Sequence, residues 1–369
     1  MKKIIEVSSD TNIGGAGKCL ITYAQNYDRE KYEVKFMLPK GSLLKPELEK
    51  CGAEVIEVSG ISDKSLDLKS ISELKKIFKA EKPDLVHAHA SMSARIAAKF
   101  SGAKVIYTRH SVFEPSPKIS KGIGKVINGA VNNYFADGII AVAEAAKENL
   151  VKTGVSEKKI RVILNGTDAL VPLSEAEKQA ARERFSVGDD FIMSIIARLE
   201  DIKGHEYFIE AADILLKKGV KAKFLIAGTG SYEEILKKKV RDKKLEKDVL
   251  FTGFIKDVDK LMAITDIQCN ASYGTEATSI SLLEGMSLGI PAVVSDFGGN
   301  PGVIKHGENG FLFPKRNAEA MADAIYKVYS DKELYRNMST RAKEMFKKTF
   351  TAEAMTKNIE SYYEQIMKK

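Results

Sequence analysis

Residues 274–291 read GTEATSISLLEGMSLGIP and run directly into the apolar segment AVVSD, Ala292–Asp296. Glu276 and Glu284 bracket a spacer of small, hydroxyl-bearing and aliphatic residues with no further charge. A helix turns about 100° per residue, so positions eight apart lie about 80° off register. The two glutamates therefore do not stack on one helical face. The stretch parses as a loop carrying Glu276, an N-cap at Thr278 or Ser279, and a helix containing Glu284. Gly289 and Pro291 stop that helix ahead of a buried strand. The free N–H groups of its first turn, from Thr278 through Ser279 and Ile280 to Ser281, form an anion site. One carboxylate precedes that site and one lies a turn or two beyond. Read in isolation, the same residues also describe a capped helix with a solvent-facing glutamate.

The loop–helix–strand rhythm extends through the chain. KKIIEVSS, YEVKFMLP, AEVIEVS, DLVHAH, KVIYTRH, GIIAVA and IRVILNG form a first series of strand candidates separated by helical patterns. DDFIMSIIARL, AKFLIAGTG, KDVLFTGFI, DIQCNAS, PAVVSDFGG and GFLFP form a second. Strands alternating with helices of ~10–15 residues predict parallel sheets with crossover helices. The charged helix LSEAEKQAARERF separates the series, which puts a boundary near Asp168–Leu173. The predicted organisation is α/β: a first domain over 1–168, a second over 169–345, and a C-terminal helix over 346–369 packing back toward the first. The last stretch, from Ser330 onward, reads as helical throughout. Ligands of such sheets bind beyond the carboxyl ends of the strands, so two of them predict a cleft.

Composition sets outer limits. The 369 residues are 44% hydrophobic and 29% charged, as in an ordinary globular protein. Cys19, Cys51 and Cys269 are too scattered for a disulfide framework or a zinc spacing and read as reduced thiols. No run approaches the ~18 apolar residues of a membrane span, and no signal peptide is evident. A cytoplasmic protein is expected. Net charge is +8, and the excess sits in the first 168 residues, with 27 basic against 20 acidic side chains. That suits either a polyanionic or membrane-surface partner or a lysine-rich solvated surface.

The second half carries further phosphate chemistry. ARLEDIKG ends an apolar strand with Arg198 and sets Lys203 five residues on. Two cations at a strand's carboxyl end suit a diphosphate, Arg as a planar fork and Lys as a point charge. AGTGS, Ala227–Ser231, allows close backbone approach, and TGFI puts Gly253 and Phe254 at another strand tip.

Taken together these motifs resemble the nucleotide-sugar domain of retaining glycosyltransferases of family GT4. Their fold, GT-B, is two Rossmann-like parallel-sheet domains facing each other across a cleft. The family pattern of a strand ending in Arg, a Lys five on, and Glu-x7-Glu is met by Arg198, Lys203, Glu276 and Glu284. SLLEGMSLGIPAVVSDFGG and HGENGFLFP resemble two further family segments. The resemblance implies that Arg198 and Lys203 bind the diphosphate and Glu276 the donor sugar. Glu284 would accept from the ribose hydroxyls, and backbone groups near Gly253 and Phe254 would read the base. Two departures stand out. Ala277, Thr278 and Ser279 replace a common Gly-Phe-Gly, which leaves the sugar open, and Gly302 replaces a usual Glu.

In the first half, IGGAGK (Ile13–Lys18) fails as a P-loop, with Asn12 and Cys19 at decisive positions. It fails also as a dinucleotide fingerprint, because Leu20 stands where the third glycine belongs. It resembles the family's glycine-rich turn, with Gly14 and Gly15 near donor phosphate and acceptor. A tight strand-to-helix turn explains it equally. His87 and His89 share a strand face, and no third metal ligand is evident, so structural or hydrogen-bonding roles are expected. His110, at the end of VIYTRH, matches the family histidine that contacts the donor sugar. Lys118, Lys121 and Lys125 lie in a segment without acidic residues from Pro115 to Ala136. Spaced along one helix, with Ile119, Ile123, Val126 and Ile127 on its other sides, they suit either an anionic membrane or a wet face of a packed helix.

The sequence thus reads as a retaining hexosyltransferase using a nucleoside-diphosphate sugar, UDP favoured. Its acceptor is a saccharide, a lipid-linked sugar or a small molecule, as in cell-surface polysaccharide biosynthesis. Neither a resident cofactor nor a metal is expected, because two cations already face the diphosphate, and no nucleic-acid partner is implied. A nucleotide-sugar epimerase or a non-catalytic carbohydrate-binding protein of this fold are the alternatives.

Overall fold

The computed structural model describes residues 1–59, 61 and 66–368. It divides into two units, Met1–Thr167 with Phe350–Lys369, and Asp168–Thr349.

The first unit carries β1 (Lys2–Ser8), β2 (Tyr32–Pro39), β3 (Glu54–Val58), β4 (Leu85–His89), β5 (Lys104–Arg109), β6 (Gly138–Ala141) and β7 (Ile160–Val162). They pair in parallel in the order β3-β2-β1-β4-β5-β6-β7. The second carries β8 (Phe191–Ile196), β9 (Ala222–Ala227), β10 (Val249–Gly253), β11 (Ile267–Asn270), β12 (Ala292–Ser295) and β13 (Gly310–Phe313). Their order, β10-β9-β8-β11-β12-β13, is again parallel. Both are doubly wound sheets in which strand order reverses once, at β1/β4 and at β8/β11. The near-continuous apolar runs of the central strands follow from this: helices cover both faces, so both alternating sets of side chains are buried. In the second unit, Phe208 of a covering helix packs edge-on against Phe224 of β9 at 5.8 Å. Both rings are fully buried, and such a side chain contributes ~1.5–3 kcal/mol.

The helix after the boundary runs Glu175–Arg184 and starts at a capping box of Ser174 and Glu177. The C-terminal stretch is not one helix. It breaks into Lys332–Thr349 and Ala352–Met367. At the break, Thr351 caps the second helix through Ala354 N, while Thr167 bonds the backbone of Phe350 and Ala352 at 3.0 Å on either side. The last segment therefore begins at Phe350, not at 346. Its helix is sewn into the first unit: Tyr362 Oη donates to Lys159 O and accepts from Ile139 N, and Glu360 accepts from Asp28 N.

The basic segment is also broken, into Pro117–Ser120 and Gly122–Tyr134. Gly122 sits at φ +54, and a Cβ on Gly124 would come within 1.8 Å of Lys118 O, so the two helices meet at a glycine-permitted corner. Lys118, Lys121 and Lys125 consequently do not share one helix face.

Candidate active site

In the second unit the loops after β8 and β11 meet at the switch point. Gly204, at φ +69, lies so close to Ala271 that a Cβ would be 2.2 Å from its carbonyl oxygen. Tyr273 N bonds Ile202 O at 2.9 Å. This brings Lys203 from the short turn Asp201–Lys203 against Glu276. Lys203 Nζ donates to Glu276 Oε2 at 2.9 Å and to Thr275 O at 3.1 Å. The same carboxylate oxygen accepts from Ser272 Oγ at 2.9 Å and Asn270 Nδ2 at 3.2 Å. Glu276 is 8% exposed. A carboxylate that buried is tolerated as an ion because it is paired and hydrogen-bonded. Arg198, two residues past β8, is exposed and has no ion-pair or hydrogen-bond partner for its guanidinium among the described residues.

The helix of the opening stretch runs Ile280–Leu288, closed by Gly289 in the left-handed region. Ser279 is its N-cap, but its side chain does not cap the first turn. Ser279 Oγ pairs with Ser281 Oγ at 2.9 Å, and Ser281 Oγ reaches Ile196 O at 3.3 Å. The helix therefore starts at the carboxyl end of β8, near Arg198. Thr278 is half-buried, and the side chains of Ile280 and Glu284 are buried. Gly285 packs against Gln268, whose Oε1 would lie 2.1 Å from a Cβ there. Gly228 and Gly230 similarly let the loop after β9 lie on residues 197–199, where Cβ atoms would approach carbonyl oxygens to 2.0 and 2.3 Å. Gly253, at φ +68, ends β10, and Phe254 beyond it is 71% exposed.

Asp257-Val258-Asp259, past the tip of β10, is an Asp-x-Asp pair that the sequence reading passed over. Asp257 is committed to Arg184 at 2.5 Å and Lys260 at 3.1 Å, which hold its carboxyl far below the usual range. A cavity of about 530 Å³ lies elsewhere, at the amino ends of β8, β11 and β12, lined by Arg182, Asp266, Ile290 and Lys343. It is separate from the cations and carboxylates described above.

In the first unit, β1, β4 and β5 bring together a buried polar cluster. Glu6 on β1 pairs in register with His87 on β4. Glu6 Oε2 meets His89 Nε2 at 2.7 Å, and Oε1 accepts from Tyr363 Oη and meets His87 Nδ1 at 3.2 Å. His87 Nε2 contacts Thr108 Oγ1, and Nδ1 contacts Tyr363 Oη, each at 2.6 Å. His89 Nδ1 meets His110 Nε2 at 2.7 Å. Burial alone would raise the Glu6 carboxyl, but His87 and then His89 outweigh it and hold it well below the usual range. Burial lowers His87, and it drives His110 well below an ordinary histidine, with His89 and His87 adding to the effect. His87 and His89 do have a third group beside them: Glu6, with all three ligand-type atoms within 4.8 Å. Each of those atoms is engaged in the hydrogen bonds just given.

Gly14 is the N-cap of helix Gly15–Asn26 with an ordinary φ of −100. A Cβ on Gly14 or Gly15 would meet nothing within 4 Å. Neither backbone conformation nor packing within the chain requires glycine there.

Sequence reasoning missed Glu6, Asn270, Ser272 and Tyr363. Glu6 had a visible signal, a polar side chain inside an otherwise apolar buried strand. Tyr363 had none, being 357 residues from the carboxylate it serves.

Residues 13–169 match the family described as Glycosyltransferase Family 4, and residues 176–345 match Glycosyl transferases group 1. The putative glycosyltransferase EpsD of Bacillus subtilis (strain 168) is 28% identical over 79% of this chain and 80% of its own. An Escherichia coli UDP-Gal:alpha-D-GlcNAc-diphosphoundecaprenol alpha-1,3-galactosyltransferase is 29% identical over 73% and 72% respectively. Among solved structures, Anabaena Alr3699/HepE in complex with UDP and glucose superimposes with a TM-score of 0.87 at 22% identity, covering 99% of this chain and 100% of that one.

Proposed function

The chain belongs to glycosyltransferase family GT4 and has the GT-B fold, and from that premise we propose that it moves a hexose from a UDP-sugar to a saccharide or lipid-linked acceptor with retention of configuration. In this reading the bond from the anomeric carbon to the β-phosphate oxygen breaks. A bond from the acceptor hydroxyl oxygen forms, and the hydroxyl proton passes to the departing diphosphate. Negative charge grows on the leaving group while the anomeric carbon becomes cationic. Arg198, Lys203 and the uncapped start of helix Ile280–Leu288 stabilise the diphosphate. That arrangement supplies the charge a divalent ion would otherwise bring, so the reaction is proposed to be metal-independent. Glu276 holds sugar hydroxyls, Glu284 the ribose, and backbone groups at Gly253 and Phe254 the base. Gly14 and Gly15 leave room for the donor phosphate or acceptor, which accounts for glycines that the chain itself does not require. His110 accepts from a sugar hydroxyl.

The observation that carries the proposal is the Lys203–Glu276 pair, buried at the switch point and held by Asn270 and Ser272. A cation and a carboxylate fixed within 2.9 Å serve two ends of one ligand, diphosphate and sugar, without either drifting into solvent. The test is to screen nucleoside diphosphates by thermal shift, then to incubate the sugar donor of the best one with and without saccharide acceptors. Sugar transfer only when acceptor is present supports the reading; epimerised donor without acceptor, or no turnover of any donor, refutes it.

The acceptor is proposed to be membrane-associated, with the protein cytoplasmic and peripheral at an anionic surface. Helix Gly122–Tyr134 buries only Gly129, which touches Gly154 backbone to backbone. Ile123, Val126 and Ile127 are 79%, 68% and 57% exposed, beside Lys118, Lys121 and Lys125. An apolar ridge flanked by lysines fits a negatively charged lipid surface. No helix among the described residues is long and apolar enough to cross a membrane.

A further inference from the structure

The first unit holds a hydrogen-bonded line that the transfer chemistry above leaves unexplained: Tyr363, Glu6, His89, His110. Its inner end is a carboxylate 1% exposed. Its outer end is His110 Nδ1, buried and without a hydrogen-bond partner among the described residues. Between them every contact has a direction. An ionised carboxylate only accepts, so His89 Nε2 carries the proton that faces Glu6 Oε2. In a neutral His89 that leaves Nδ1 as a lone pair, which can only accept. His110 Nε2, 2.7 Å away, must then be the donor. A neutral His110 that is protonated on Nε2 has a bare Nδ1, and that atom is the one left unsatisfied.

Two ring contacts and a tyrosine surround the line. His87 lies 4.4 Å from His89, ring centre to ring centre, and His110 stacks on His89 at 5.0 Å. Neither ring contact calls for an added proton on the line. Glu6 is satisfied without it, since Tyr363 Oη also donates to the carboxylate. A buried acceptor with no partner is destabilising, so Nδ1 gains by meeting a donor from outside the chain. A sugar hydroxyl is such a donor.

We propose that Glu6 and His89 are positioning residues that act through His110, fixing it in the Nε2-protonated tautomer so that Nδ1 is an obligate acceptor for a ligand hydroxyl. The ligand part of this rests on the glycosyltransferase reading above; the tautomer part does not. Tyr363 makes the C-terminal helix a member of the device, because it secures the carboxylate from which the direction of every other bond follows.

The test uses full-length protein labelled with ¹⁵N in its five histidines, with His110 assigned by its loss in His110→Gln. Bare and protonated ring nitrogens have distinct shifts. The parent should show His110 with a bare Nδ1 and a protonated Nε2. His89→Leu removes the acceptor and should give mixed tautomers. His89→Gln supplies an amide donor toward Glu6 and a carbonyl acceptor toward His110, and should restore the parental signature. On a sugar donor, His89→Leu should lower kcat/KM roughly ten-fold, the loss of about one hydrogen bond, with recovery in His89→Gln. A donor deoxygenated at the hydroxyl that His110 contacts should erase the difference.

A protonated Nδ1 on His110 in the parent overturns the proposal. So does an unchanged tautomer in His89→Leu. Stoichiometric metal found by elemental analysis, held by Glu6, His87 and His89, overturns it as well. If His89→Leu does not fold, the parent and His89→Gln spectra decide. If no sugar donor is turned over, the glycosyltransferase reading fails while the tautomer readings still stand or fall by themselves.

Discussion

Replacing Lys203 by alanine perturbs two properties that the structure ties to one atom. Lys203 Nζ is proposed to face the diphosphate, and it donates to Glu276 Oε2. Loss of one donor that acts on transition-state charge lowers turnover about 10²–10³-fold. Loss of the cation also leaves Glu276, 8% exposed, with Ser272 and Asn270 as its remaining side-chain donors. A charge-assisted hydrogen bond is worth ~1.5–3 kcal/mol, so stability should fall by about that amount. The two effects separate in a second variant. Glu276→Gln placed in the Lys203→Ala background removes the unpaired charge and should recover most of the lost stability. It should recover no activity, because the diphosphate still lacks its cation. Denaturant melts and donor turnover on parent, both singles and the double give the full cycle. If the double variant regains activity along with stability, Lys203 serves only to hold Glu276 in place, and its proposed role on the leaving group is wrong.

Transfer activity should persist in EDTA, because Arg198, Lys203 and a helix start are proposed to meet the diphosphate; abolition by chelation with recovery on Mg²⁺ or Mn²⁺ refutes this. Ile123→Ser with Val126→Ser and Ile127→Ser should leave the melting temperature unchanged, since these side chains are exposed. The triple variant should sediment with anionic vesicles far less than the parent; equal sedimentation, or none by the parent, contradicts membrane docking. Stability should fall on acidification in two stages. His87, His110 and His205 have lowered folded values, His205 about 4, so the unfolded chain takes up protons first as pH drops through about 6.5. Glu6, also lowered, adds a further loss as pH falls below about 4.5. A melting temperature flat from pH 7 to 4 would contradict these assignments.

Every strand of both sheets falls within a strand candidate of the sequence, because those runs are bounded by turn residues and alternate with helical patterns. Helix corners were not. Lys121–Gly122 and Phe350–Thr351 break otherwise helical patterns through a left-handed glycine and a cap tied to Thr167, and neither constraint is local in periodicity. Arg198, Lys203, Glu276 and Glu284 were singled out because charge stands out at strand ends and in a small-residue spacer. Asn270 and Ser272 were passed over because strand-end amides and hydroxyls look like turn chemistry. His87 and His89 were visible as a pair, but the carboxylate between them comes from β1 and its partner tyrosine from the last helix. Only the sheet order, which sets β1 beside β4, joins them.

Calorimetric titration on Glu284 tests most directly whether the second unit holds a nucleoside-diphosphate sugar. Glu284→Gln keeps the size of a side chain buried in helix Ile280–Leu288 and removes its charge. Two charge-assisted bonds to a ribose weaken, so affinity for the UDP-sugar should fall by roughly 10–200-fold, at about 1.4 kcal/mol per decade. The 2′-deoxy donor should bind the parent poorly and lose little more on mutation. Equal losses for both donors, or no loss for either, would mean that Glu284 does not read the ribose and that the proposed donor site is wrongly assigned.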